Sequence, residues 1–165
     1  MRSLTVELND IPDTARLGAV LATTILVVNP GAILLYGDLG AGKTTLTRYF
    51  VENLPGGKEA EVSSPSFTIC NIYCTSPLVH HFDLYRLDSG TSDEALAESL
   101  DDQSVLTIVE WPDRIPFGDM PVDGLKCRFL QDETGSARRV ELMALNHLGD
   151  QYLSLVASSY PQEQG

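Results

Sequence analysis

The chain has 165 residues, a mass of 18.0 kDa and a formal net charge of -12. At one domain per ~100–200 residues this is a single domain, and 43% hydrophobic with 21% charged residues excludes wholesale disorder. Asp and Glu number 23 against 11 Lys and Arg, so a nucleic-acid role needs a local basic patch or a basic partner. The three cysteines, Cys70, Cys74 and Cys127, are too few for a disulfide framework and point to a reducing compartment. No run approaches the ~20 apolar residues of a bilayer span, and the opening MRSLTVE carries no signal-peptide core. The expected setting is cytoplasmic, away from membranes.

Residues 5–8 form the first expected strand. A helix start comes next: Asp10 can cap free N–H groups, Pro12 fits the first turn, and Asp13 suits the positive end of the dipole. The helix reads to about residue 28 and stops at Asn29-Pro30-Gly31. The apolar run 32–36 is a buried strand, and 43–54 a helix ended by Pro55-Gly56-Gly57. Strands at 67–73 and 78–84 flank a turn at Thr75-Ser76-Pro77. An acidic helix at 92–100 and a buried strand at 105–109 come after them. Residues 124–130 and 138–144 read as a hairpin across Asp132-Glu133-Thr134-Gly135. Residues 146–157 read as a last helix and 158–165 as a flexible C-terminal tail, leaving one domain over 1–157. The pattern predicts an α/β fold: a mixed sheet with a parallel centre, antiparallel additions and flanking helices.

The strongest motif is Gly37-Asp38-Leu39-Gly40-Ala41-Gly42-Lys43-Thr44, which fits G-x-x-x-x-G-K-[ST] throughout. Its glycines let the backbone curl so that successive N–H groups converge on phosphate oxygens. The next helix turns its N-terminus on the same anion. In such loops the lysine, here Lys43, reaches the β- and γ-phosphates, and the hydroxyl, here Thr44, ligates Mg²⁺.

Two carboxylates are candidates for the same site. Glu110 ends the apolar run Val105-Leu106-Thr107-Ile108-Val109, where an acid can bind Mg²⁺ or orient an attacking water. Asp83 sits in a strand and shares a face with His81 and Tyr85. An acid within an apolar strand is costly unless paired or metal-bound. Asp83 is therefore a metal-site or water-positioning acid, or the partner of Arg86 or another base. Cys70-x-x-x-Cys74 with His80 and His81 has poor spacing for zinc, and no zinc site is expected. Arg138-Arg139 reads as a solvated strand end.

The chain lacks the N-K-x-D element of GTPases and the L-S-G-G-Q element of ABC-type ATPases. Four motifs then fall in order: GDLGAGKTT at 37–45, SPSFT at 64–68, HFDLYRL at 81–87 and EWPDR at 110–114. Together they resemble the TsaE (YjeE) family, the bacterial P-loop ATPases of tRNA threonylcarbamoyladenosine biosynthesis, over residues 5–157.

The resemblance implies a P-loop NTPase-like fold, with ATP and Mg²⁺ as cofactors held at the strand–loop–helix junction that ends with Thr45. It implies Lys43, Glu110 and Asp83 as catalytic residues, with Thr44, Glu110 and Asp83 toward the metal. Trp111 would lie close to the nucleotide, and the helix start at Thr14 near the adenine. Ser64, Pro65, Ser66, Phe67 and Thr68 would form a switch-like loop. TsaB and TsaD are the implied partners, with tRNA reached only through their complex, and ATP use would reset that complex between turnovers. Departures are Ser66 in place of the family's usual Thr, Tyr49 after Arg48 in place of Gly, and a loose match over 88–103. A small-molecule kinase, with Arg86, Arg114, Arg138 and Arg139 available for a lid, and a non-catalytic nucleotide-gated binding module are the rival readings.

Overall fold

Alternate residues of the strand Ala32–Tyr36 enter two different cores. Ile33 and Leu35 pack with the helices of one layer, and Ala32 and Leu34 with the other. This is the signature of a strand covered on both faces, which accounts for its unbroken apolar run. The computed structural model describes residues 2–132 and 138–160. In chain order these form β1 (Ser3–Leu8), α1 (Ile11–Ile25), β2 (Ala32–Tyr36), α2 (Lys43–Glu52), β3 (Cys70–Tyr73), β4 (Leu78–Asp83), α3 (Glu94–Asp101) and β5 (Val105–Glu110). Two short 3-10 turns, Pro112–Arg114 and Phe117–Asp119, precede β6 (Leu125–Gln131), β7 (Arg138–Ala144) and α4 (His147–Ser159).

The seven strands lie in the order β1-β7-β6-β2-β5-β4-β3. β6, β2, β5 and β4 run parallel, and β3, β7 and β1 add antiparallel edges. The expected parallel-centred mixed sheet is therefore the observed one. The larger core joins α1, α2 and α4 to one face of the sheet, through Leu17, Leu46, Phe50, Leu106, Ile108 and Tyr152. The smaller core, around Leu34, Phe82, Leu96, Val109 and Ile115, seats α3 and the first 3-10 turn on the other.

Most expected elements occur, with shifted ends. Asp10 caps α1 by accepting from Asp13 N at 3.0 Å, as its position predicts. That helix closes at Ile25 rather than near residue 28, where Val27 N bonds Thr24 O at 2.9 Å and tightens the last turn. The cap of α3 is Asp93, which accepts from Leu96 N at 2.8 Å, while Ser92 donates to Asp119 instead. The expected strand 67–73 shortens to Cys70–Tyr73, since Ile69 N bonds Pro65 O at 2.7 Å and folds Phe67 and Thr68 into a turn. Ile69 takes φ +68° there, a left-handed conformation that a β-branched residue rarely adopts. The helix read as 146–157 continues to Ser159, and the next residue, Tyr160, packs on the core beneath the Arg16 guanidinium. The rest of the expected tail, 161–165, and most of the hairpin turn lie outside the described residues. No helix among the described residues is long and apolar enough to cross a membrane.

Candidate active site

The C-terminal ends of β2, β4 and β5 meet beside the start of α2, and a cleft of about 230 Å³ opens there. In parallel sheets such a crevice, outside the carboxyl ends of the strands, is where ligands bind. Leu39, Gly40, Ala41, Gly42, Lys43, Thr44 and Thr45 line one wall, and Ser64, Asp83, Glu110 and Trp111 the other.

The loop after β2 owes its path to glycine. Gly37, Gly40 and Gly42 have φ of +146°, +77° and +108°, which side chains resist. A Cβ on Gly37 would come within 2.9 Å of Phe129 Cβ. Gly42 is the N-cap of α2 and supplies no side-chain acceptor, so the first helical N–H groups stay open to an anion.

Lys43 is only 4% exposed. Its ammonium donates to the carbonyls of Gly37 at 2.6 Å and Asp38 at 2.9 Å, and lies 4.1 Å from the Trp111 ring centre. Burial pushes this ammonium below the ordinary lysine range, while Glu110, Asp83, Asp38 and Asp113 oppose that shift. Trp111 sits at φ +59° directly after β5, with its ring 5.0 Å from that of Tyr85.

Strand alternation brings the two carboxylates together. Asp83 and Glu110 are register partners at the ends of β4 and β5. They share the sheet face of Val79, Leu106 and Ile108, the face that α2 covers. Glu110 Oε1 accepts from the Thr44 hydroxyl at 2.8 Å and lies 2.9 Å from His81 Nε2. Asp83 accepts from Tyr85 N at 2.9 Å and from the Ser64 hydroxyl. Arg86 stacks on Phe67 at 4.4 Å and forms no ion pair with Asp83 among the described residues.

A profile of the family described as threonylcarbamoyl adenosine biosynthesis protein TsaE matches residues 8–140. This chain belongs to the TsaE family. It is 32% identical to the tRNA threonylcarbamoyladenosine biosynthesis protein TsaE of Haemophilus influenzae, over 93% of this chain and 98% of that one. The Bacillus subtilis protein of the same name is 42% identical, over 56% and 58% of the two chains. The crystal structure of Bacillus subtilis YdiB superposes with a TM-score of 0.74 at 24% identity, covering 96% of each chain, and shares the fold. The role of a TsaE-family chain is in tRNA threonylcarbamoyladenosine biosynthesis.

The TsaE motifs do not all converge equally. Leu39 to Thr45 of GDLGAGKTT, with Asp83, Glu110 and Trp111, surround one cleft, whereas Gly37 and Asp38 do not line it and instead accept the Lys43 ammonium through their carbonyls. From SPSFT only Ser64 lines it; Pro65 is buried, Ser66 half-buried, and Phe67 and Thr68 exposed. Thr14 is buried in the first turn of α1 and does not line the cleft. Arg114 donates to Leu87 O at 3.0 Å and to Ser89, bracing the loop after β4. Three further residues belong to the site although their sequence signals are weak, and one is Tyr85, which lines the cleft with its ring beside Trp111. Arg138 reaches the rim of the site, although its position at a strand end suggested only solvation. His81 lies beneath it, and its signal was the two-residue spacing to Asp83 on one strand face.

Proposed function

We propose that this TsaE-family chain is a Mg²⁺-dependent ATPase that works with TsaB and TsaD to form N6-threonylcarbamoyladenosine at position 37 of tRNA, resetting their complex between turnovers. The observation that carries this reading is the Thr44–Glu110 bond at the foot of an uncapped helix N-terminus. A hydroxyl that donates to a carboxylate keeps its lone pairs for a cation. Thr44, Glu110 and Asp83 also form the hard oxygen donor set that Mg²⁺ prefers. The residues present thus fit both triphosphate and metal.

In this reading Lys43 exchanges the neutral carbonyls of Gly37 and Asp38 for phosphate oxygens, with which it makes stronger, charge-assisted bonds. The loop N–H groups from Leu39 to Thr45 orient the phosphates, and Trp111 borders the nucleotide. Bound Mg²⁺ would supply neutralisation of the charge that develops during phosphoryl transfer. Glu110 holds the Thr44 hydroxyl and Asp83 orients a water. The Ser64 hydroxyl on Asp83 gives the loop that begins there a direct link to this chemistry. The net charge of -12 favours contact with tRNA through TsaB and TsaD rather than alone.

Phosphate release from ATP, measured with and without a TsaB–TsaD pair, tests the reading. Strong stimulation by the pair is expected. No stimulation by a pair competent in tRNA modification would move the assignment to a small-molecule kinase or a passive nucleotide-gated module.

A further inference from the structure

His81 is completely buried, yet it is not a silent core residue. Its Nε2 lies 2.9 Å from Glu110 Oε1, the oxygen that also receives the Thr44 hydroxyl. Its other nitrogen, Nδ1, lies 3.3 Å from the hydroxyl of Tyr73, which is buried on β3 and also lies 3.3 Å from Ser63 O. A carboxylate has no proton to give, so the proton of the His81–Glu110 bond belongs to Nε2. This holds for the neutral ring, with Nδ1 accepting from Tyr73. It holds equally for the charged ring, with Tyr73 donating onward to Ser63.

We propose that His81 is a positioning residue: its Nε2–H holds the Glu110 carboxylate in the orientation that receives Thr44. The assignment rests on the ATPase reading of the site and extends it. A glutamate side chain has freedom to lose on being fixed, and Glu110 has a second carboxylate, Asp83, as its register partner. Thr44 alone supplies one donor on a helix that contacts a ligand. His81 supplies a second from the rigid sheet beneath, so Glu110 keeps its place when Thr44 engages another partner. Groups that orient a metal-site residue in this way typically affect function ~10–100-fold.

Three substitutions in the full chain test this, assayed with TsaB and TsaD. His81→Leu removes both ring nitrogens, and with them the Nε2–H donor. His81→Asn retains a donor near the Nδ1 position, too short to reach Glu110. His81→Gln carries an amide N–H at about the reach of Nε2. The expected result is a kcat for stimulated ATP hydrolysis lowered ~10-fold or more in the Leu and Asn variants. Affinity for a fluorescent ADP analogue stays within about two-fold, and Gln recovers most of the lost rate. If the Leu variant fails to fold, the Gln–Asn comparison decides alone. Equal rates in Gln and Asn, or an unchanged rate in both, would overturn the proposal. So would ¹⁵N NMR of labelled histidine showing a proton on Nδ1 and none on Nε2. If the parent protein itself fails to hydrolyse ATP beside a competent pair, the ATPase reading fails, and the NMR result still decides whether His81 donates to Glu110.

Discussion

The Thr44 hydroxyl lies 2.8 Å from Glu110 Oε1, which ties the first turn of α2 to the end of β5. A movement of the first turn of α2 therefore reaches the sheet through one hydrogen bond. Glu110→Ala removes that bond and leaves the His81 donor without its acceptor, a loss that a buried polar group feels strongly. The expected outcome is a fall of ~100-fold or more in partner-stimulated phosphate release, with much smaller change in nucleotide affinity. Single-turnover hydrolysis and a fluorescent-nucleotide titration measure the two separately. Normal turnover would remove Glu110 from the mechanism.

Lys43→Ala acts on binding as well as chemistry. The lysine is almost fully buried with Asp83 and Glu110 in its electrostatic surroundings. Its removal takes away the charge that balances those two acids and, in the ATPase reading, the cationic contact to phosphate. Hydrolysis is expected to vanish, and the rise in melting temperature that ADP is expected to give the parent protein to shrink or disappear, because ligand stabilisation follows affinity. A thermal shift equal to the parent's at the same ADP concentration would contradict the assigned role.

The strands of the sheet and the glycine loop after β2 were legible because their signals are local. The run Ala32-Ile33-Leu34-Leu35-Tyr36 reads as a buried strand wherever it lies, and GDLGAGKT carries its own turn chemistry. The meeting of Asp83 with Glu110 depends on the register of β4 against β5, which no local pattern encodes. The same holds for His81, whose partner is 29 residues away in sequence. Phe67 and Thr68 have strand-forming side chains, but the Ile69–Pro65 hydrogen bond wins and makes a turn. Arg138 lies on β7, and only the packing of β7 beside β6 carries it toward the loop after β2.

Gly18 packs directly against Tyr49, one of the departures from the family pattern. A Cβ on Gly18 would lie 2.7 Å from Tyr49 Cβ and 2.9 Å from the backbone nitrogen of Phe50, so α1 and α2 touch backbone to backbone. Gly18→Ala gains ~1 kcal/mol in helix propensity, against overpacking that costs ~1–3 kcal/mol. The contact is with the α2 backbone, which cannot swing aside as a side chain can. Net destabilisation of up to ~2 kcal/mol is expected, read as a lower urea midpoint. Because α2 also carries Lys43 and Thr44, ADP affinity should fall with it. A variant more stable than the parent would show that the helices separate at little cost.

Stability should decline on the alkaline side. Burial pushes the Cys70 thiol from 9.0 up to about 11, and raises the fully buried Cys127 thiol and Tyr152 phenol further above their ordinary values. The folded chain thus keeps protons that the unfolded chain releases once pH passes the ordinary thiol range. With fewer protons bound in the unfolded state, the linkage slope is negative: stability is unaffected at neutral pH and falls from about pH 9 upward. The fully buried Cys127 thiol contributes up to about 1.4 kcal/mol per pH unit in that window. Urea unfolding at pH 8 and pH 10 measures the difference. Cys127→Ala tests its source: it removes one titrating group, so its stability should fall less between the two pH values than the parent's does. An identical loss in both proteins would mean that Cys127 ionises as readily folded as unfolded, against its complete burial in β6.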